Sequence, residues 1–397
     1  MMPTLVDELA QVAHEAKHQG ISSEAIRTKL KETLQFYVLD FIYNSPKYQH
    51  LVFYGGTCLR ICFRLNRMSE EIDFETTTPF DKKQFAHDVS QHFQQKIQYR
   101  NMCAVTPGAS LQRIELKFPL LHTLGLSQHE AANLIVKVEV NQTQHVYPTA
   151  VKTVSQDRLS FIIRHYDLPT LMAGKMCACL HRVWEKRGVI VKGRDYYDLV
   201  WYMQKAILPN RERLAASGTQ TIGGAFEEIR AKVHTIKPAH LVADLEILFE
   251  NSVFPRRWAA TFSEEFEQLY QQYAAAPFVD ECDEKSWSDF VRDTFIVQLK
   301  YRNLKGRSLT FRFHFSKEWI ANEAREEMDT LLGLLKQKIG RFIDHEDYRN
   351  LIPGEWPVKM MVTHGTRKFD ATSMVALRFQ ELQNCSLQDL LAKRETL

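Results

Sequence analysis

LVFYGGTCLRICFRLNRMSEEIDFE, residues 51–75, carries more structural information than any other stretch of this chain. An apolar run ends at Tyr54 and Gly55-Gly56-Thr57 breaks it. An amphipathic segment follows, Arg67-x-Ser69 turns the chain again, and a second apolar alternation carries Glu71 and Asp73. The order predicts a strand at 50–54, a glycine elbow, a helix, a turn and a second strand at 71–75. In a strand, residues two apart leave by the same face, so Glu71 and Asp73 point together while Ile72 and Phe74 enter a core. The glycines remove side chains where a backbone would approach an anion. A helix starting near Thr57 turns free N–H groups and its positive end toward the same spot. Taken singly, Gly-Gly-Thr marks a tight turn and Glu-x-Asp a solvated strand face; together, with Ser69 directly upstream, they are far more specific.

Two carboxylates on one face repel each other, and one pKa rises unless a cation lies between them. Mg²⁺, a hard ion that joins carboxylates to phosphates, meets that need, and Mn²⁺ is the alternative. These residues are therefore the parts required to hold a nucleoside triphosphate (NTP) and its metal, with Gly55, Gly56, Thr57, Arg67 and Ser69 on the triphosphate and Glu71 and Asp73 on the metal. Glu139 is the candidate third metal ligand. In residues 134–140, Val136, Val138 and Val140 share one face while Lys137 and Glu139 share the other. A carboxylate there could face Glu71 and Asp73 and take a proton from an incoming hydroxyl. Equally, it could be an edge-strand charge paired with Lys137; Glu115 is a weaker competitor.

Outward from this segment, residues 5–18 and 22–43 read as helices, the second with Ile26, Leu30, Leu34, Tyr37, Val38 and Phe41 at helical spacing. A polar helix is expected at 81–95 and a strand at 111–118. Helices are expected at 169–186, 195–206, 223–234, 240–251 and 260–274, with a loop over 209–224. On one helical stripe, Lys175 could face the β- and γ-phosphates, with Ala178 and Arg182 along the same line. Asp195 and Asp198 lie one turn apart; one could orient Lys175 or the nucleotide, and the other could be a structural pair or cap. The chain after 277 is acidic at first, then basic over 300–317, and is expected to end in helix and loop.

With 397 residues, two or three packed units are expected: N-terminal helices at 1–48, an α/β unit at 49–165, helices completing the site at 166–276, and a C-terminal region at 277–397. A hydrophobic content of 45% and a charged content of 25% suit a soluble globular protein. A net charge of only +3 requires any nucleic acid to meet a local basic face. Seven scattered cysteines read as reduced thiols of a cytoplasmic protein, and Cys177-x-Cys179 lacks zinc-site spacing. The acidic residues Asp7, Glu8 and Glu15 argue against a signal peptide, and no apolar run is long enough to cross a bilayer.

Four ordered motifs run through this chain: Gly55-Gly56-Thr57; Arg67, Ser69 and Asp73; Lys175, Ala178 and Arg182; and the segment RDYYDL at 194–199. Together they resemble the AbiEii/AbiGii toxin family of nucleotidyltransferases and are similar to the MenT toxins, over roughly residues 30–250. The resemblance implies an α+β fold: a DNA-polymerase-β-like nucleotidyltransferase core with a mixed sheet, followed by helical domains. It also implies a toxin that transfers nucleotides from a triphosphate, a tRNA 3′ end as acceptor, and a cognate antitoxin. The family usually has Asp-x-Asp after the serine, and here Glu71 takes the first place. Two other readings stay open: a catalytically weakened nucleotide- or RNA-binding regulatory module, and a protein-NMPylating enzyme. The basic segment offers Lys300, Arg302, Lys305, Arg307 and Arg312 as RNA contacts, with Phe311, Phe313 and Phe315 in a strand core.

Overall fold

The computed structural model describes residues 3–108, 112–182, 191–219, 221–275, 278–289, 294–303, 308–316, 359–364 and 367–370. The chain divides into two compact units, Met1–Gln220 with Glu227–Glu267, and Thr221–Phe226 with Gln268–Leu397.

The first unit opens with α1 (Leu5–His18) and α2 (Ser23–Tyr43). A reciprocal Thr4–Asp7 capping box starts α1, and Ser22 caps α2. The α2 residues Ile26, Leu30, Leu34, Tyr37, Val38 and Phe41 are all buried. Next come β1 (Val52–Tyr54), α3 (Gly55–Phe63), β2 (Glu71–Thr76), α4 (Lys82–Gln95), β3 (Cys103–Val105), β4 (Arg113–Phe118), β5 (Leu134–Gln142), β6 (Thr149–Gln156) and β7 (Leu159–Tyr166). Helices follow in chain order: α5 (Leu168–His181), α6 (Gly193–Gln204), α7 (Arg211–Ala216), α8 (Ile222–Val233), α9 (Pro238–Leu245) and α10 (Val253–Ala275), of which residues 222–226 of α8 and 268–275 of α10 are counted in the second unit.

Among the described residues, the strands of this unit form a seven-stranded mixed sheet in the order β3-β4-β5-β2-β1-β7-β6. β2 runs parallel to β5 and β1 parallel to β7, and the remaining pairs are antiparallel. One sheet face is apolar. Ile72, Phe74, Val136 and Val138 are fully buried there, and Tyr43 of α2 packs on Phe74 while Phe93 of α4 meets Phe118. Burial of such side chains contributes on the order of 2 kcal/mol each, so the register that sends Ile72 and Phe74 inward also fixes Glu71 and Asp73 on the opposite face.

Several expectations need correction. The stretch 209–224 is not a loop: Asn210 caps α7 through the Arg213 N–H at 2.9 Å, and α8 begins at Ile222. α5 ends at His181 with Arg182 as its C-cap, short of 186. β3 and the hairpin of β6 and β7 are absent from the sequence reading. Among the described residues, the second unit contains a five-stranded antiparallel sheet of β8 (Phe278–Asp289), β9 (Thr294–Asn303), β10 (Ser308–Ser316), β11 (Lys359–His364) and β12 (Arg367–Asp370); β10 is the strand expected around Phe311–Phe315, and β11 and β12 lie where the chain was expected to end in helix and loop. Of the RNA-contact candidates, Lys300 and Arg302 lie on β9 opposite Asp283 and Asp280 of the acidic strand β8, and Arg312 lies on β10 opposite Gln298. Lys305 and Arg307 lie outside the described residues.

Candidate active site

The site begins where β1 becomes α3. Gly55 has φ of +80°, a left-handed conformation that side-chain-bearing residues rarely adopt, and a Cβ there would stand 2.3 Å from Asp73 Oδ2. The antiparallel register places Tyr54 opposite Asp73, so the carboxylate lies against the elbow itself. A Cβ at Gly56 would stand 2.7 Å from Arg67 Nη2 and 3.0 Å from Ser69 Oγ. Both glycines are therefore required by close approach.

On the other side of β2, parallel pairing with β5 sets Asp73 opposite Glu139 and Glu71 opposite Lys137. Glu71, Asp73 and Glu139 line one cavity of about 950 Å³ with Gly55, Gly56, Arg67, Ser69, Lys175, Arg182 and Asp195. Burial, then the neighbouring charges of Glu71 and Glu139, pushes Asp73 up to about 7, against the pull of Lys175 and Lys192. The Lys137 ammonium lies 3.3 Å from Glu71, and Arg113 on β4 donates to Glu139 at 2.7 Å. The partner of Glu139 is thus Arg113, across the β4–β5 pair, rather than the Lys137 of its own strand.

An alternating ion chain runs through the cavity wall. Arg67 donates twice to Asp198, both at 2.6 Å. Lys175 lies 2.9 Å from Asp198 and 2.8 Å from Asp195, and Arg182 donates to Asp195 at 2.5 Å. The Arg67 and Asp198 side chains are 1% and 0% exposed. Burial opposes the charges of Lys175 and Asp195, but their mutual attraction outweighs it: the Lys175 pKa is raised and the Asp195 pKa lowered. The chain ties the turn before β2 to α5 and α6.

Two of the candidate site residues do not line the cavity. Asp198 does not line the cavity; it is consumed by Arg67 and Lys175. Thr57 is also absent from the wall, fully buried, with its hydroxyl donating to the Glu71 carbonyl. Arg67 reaches the wall, but its guanidinium is occupied by Asp198 and by the Met68 carbonyl at 3.0 Å.

Sequence reasoning missed other wall residues. Arg194 pairs with Asp244 at 2.8 Å and with Glu70 at 3.5 Å, and Glu70 also meets Lys31 at 3.1 Å. Arg213 pairs with Glu75 at 2.6 Å, Tyr166 donates to Glu75 at 2.7 Å, and the guanidinium lies 5.0 Å from the Tyr147 ring centre and 5.1 Å from that of Tyr166. Lys192 and Arg113 also belong to the wall. The alternation of β4 and β5 could have flagged Arg113; the others depend on contacts between distant segments.

The model of the nucleotidyl transferase AbiEii toxin family, of type IV toxin–antitoxin systems, matches residues 38–293. The chain belongs to this family. The matched span contains every residue of the cavity wall. Two solved structures are similar. JHP933 from Helicobacter pylori is 15% identical, with 64% of this chain and 94% of that chain covered and a TM-score of 0.38. A second H. pylori protein, described as a nucleotidyltransferase, is also 15% identical, with 61% and 94% covered and a TM-score of 0.37. No relative was found among curated proteins. Among the described residues, no helix is long and apolar enough to cross a membrane.

Proposed function

We propose that this AbiEii-family protein moves a nucleoside monophosphate from an NTP to an acceptor hydroxyl, with RNA, foremost a tRNA 3′ end, as the acceptor. It acts in the cytoplasm and a cognate antitoxin restrains it. The observation that carries this reading is the gathering of Glu71, Asp73 and Glu139 on one face of a cavity beside the Gly55–Gly56 elbow.

A divalent cation is implied by the family, and the donors suit it. All three are hard carboxylates, and one of them is raised to about 7 by burial and like charge, a state that a cation relieves. Among the described residues no three such side chains stand close enough together to hold an ion, because Glu71 and Glu139 are turned to Lys137 and Arg113. Asp73 and Glu71 would hold the ion, joined by Glu139 once Arg113 releases it. When bound, Mg²⁺ or Mn²⁺ supplies charge neutralisation at the α-phosphate.

The protein's own groups do the rest. The Gly55–Gly56 backbone at the start of α3 and Ser69 cradle the phosphates. The acceptor oxygen forms a bond to the α-phosphorus as the bond to the β-bridging oxygen breaks and pyrophosphate departs. Glu139 takes the hydroxyl proton. Lys175 and Arg182 lend positive potential to the wall, although Asp195 shares their charge. Lys300, Arg302, Lys305, Arg307 and Arg312 are the proposed RNA contacts.

A second reading has its own support. Glu71 stands where the resemblance expects aspartate and is bound to Lys137, which favours a catalytically weakened binding module. One experiment separates them: the protein is incubated with each α-labelled NTP, Mg²⁺ and total tRNA, and pyrophosphate and labelled products are followed. Pyrophosphate with labelled tRNA supports transfer to RNA. Label on protein alone identifies NMPylation, and binding of NTP without pyrophosphate leaves the binding module standing.

A further inference from the structure

Among the described residues, charge pairing around the cavity is complete except at two side chains. Every basic residue on the wall other than Lys192 has a carboxylate within 4 Å, as set out above for Arg67, Lys175, Arg182 and Arg194 and for the strand-borne bases. Lys192 is half-buried, is the residue before the first turn of α6, and has no carboxylate at ion-pair distance among the described residues. Its own burial, then the nearby Arg194 and Arg182, lowers its pKa. Asp73 is the acidic counterpart, half-buried on the same wall with no cationic side chain at ion-pair distance among the described residues. A half-buried charge without a partner costs free energy, whereas one matched by a ligand becomes a strong contact. A metal-bound polyphosphate presents both complements at once: its cation to the carboxylate and its phosphate oxygens to the ammonium.

We propose that Lys192, not Lys175, is the side chain that meets the outer phosphates of the triphosphate. This rests on the nucleotidyl-transfer reading. Lys175 is held at 2.8 and 2.9 Å by two carboxylates that fix it in the ion chain, so it has less charge to offer. Lys192 has no such commitment, and lining the same cavity as Ser69 and Gly56 it is free to turn to an anion there.

The test is calorimetric titration of the full chain with inorganic tripolyphosphate and with AMP, both in Mg²⁺, using wild type, Lys192→Met, Lys192→Arg and Lys175→Met. Lys192→Met should weaken tripolyphosphate binding about 10- to 100-fold, the size of one lost charge-assisted contact, and leave AMP binding unchanged. Lys192→Arg should restore most of it. Lys175→Met should cut thermal stability more than Lys192→Met does, because it removes one of the two ion partners of each of the buried Asp195 and Asp198. Equal tripolyphosphate binding by wild type and a folded Lys192→Met overturns the Lys192 assignment alone. A wild-type chain that binds no tripolyphosphate and releases no pyrophosphate from any NTP in the labelling experiment above overturns the transferase reading with it.

Discussion

Replacing Asp73 by asparagine should make this protein more stable at alkaline pH while removing transfer. The ordinary value for an aspartate is 3.8, and the folded chain holds Asp73 at about 7. Between those values the folded state binds a proton that the unfolded state has released, so stability falls as pH rises from about 4 to about 7. The same linkage puts the cost at about 2 kcal/mol at pH 5 and about 4 kcal/mol at pH 8. The substituted amide carries no charge, so its own burial cost, on the order of 1–3 kcal/mol for an amide with few partners, is the same at both pH values. That constant cancels when the two pH values are compared. Relative to wild type, Asp73→Asn should therefore gain about 2–3 kcal/mol between pH 5 and pH 8. Urea denaturation followed by far-UV circular dichroism, with EDTA present, reads this directly. Adding Mg²⁺ at pH 8 should stabilise wild type and leave the variant unmoved, since only the native carboxylate set binds the ion. A difference between the two proteins that does not change with pH refutes the gathering of Glu71, Asp73 and Glu139 into one mutually repelling set. So does equal stabilisation of both by Mg²⁺.

Arg67→Met should lower stability by about 3 kcal/mol, because Asp198 stays buried with Lys175 as its remaining ion partner; Arg67→Met/Asp198→Leu should recover part of that loss, and additive effects in the urea cycle would deny the pairing. Gly55→Ala should cost at least about 1–2 kcal/mol from its positive φ alone, and should abolish transfer by displacing the Asp73 carboxylate; full transfer by a folded Gly55→Ala chain would count against the elbow. Thr57→Val should lose about 1 kcal/mol of stability with the KM for NTP unchanged, since its hydroxyl serves the Glu71 carbonyl; a raised KM would return Thr57 to the triphosphate.

What could be read from the sequence was local. The elbow, the shared face of Glu71 and Asp73, the valine face of β5 and the buried stripe of α2 each depend on spacings within a few residues, and each appears in the structure. The β6–β7 hairpin was hidden because β6 offers one buried residue, Val154, and β7 interrupts its buried series Leu159, Phe161 and Ile163 with Ile162 at 59% exposure. The acidic strand β8 reads as a solvated charge run until the register sets Asp280 and Asp283 opposite Arg302 and Lys300. α7 spans only six residues, between Pro209 on one side and Ser217-Gly218 on the other, and so reads as part of a loop. The partners of the site residues were the least legible part. Arg113 with Glu139, Arg67 with Asp198 and Arg194 with Asp244 are separated by tens of residues or more, and no periodicity encodes such pairs.

The partners explain why residue type alone misassigns roles in such a site. Lys175, Arg182, Asp195 and Asp198 have the chemistry of phosphate and metal ligands, yet in the folded chain they largely neutralise one another. A neutralised network in a region of low dielectric is rigid, because moving any member exposes an uncompensated charge. Rigidity there serves the elbow: Arg67, locked by Asp198, lies against Gly56, and Asp73 lies against Gly55. The scaffold thus holds still the charges it has paired and leaves Asp73 and Lys192 without ion partners among the described residues of the same wall. A ligand that brings only a cation or only an anion would answer one of the two, and a metal-bound triphosphate answers both.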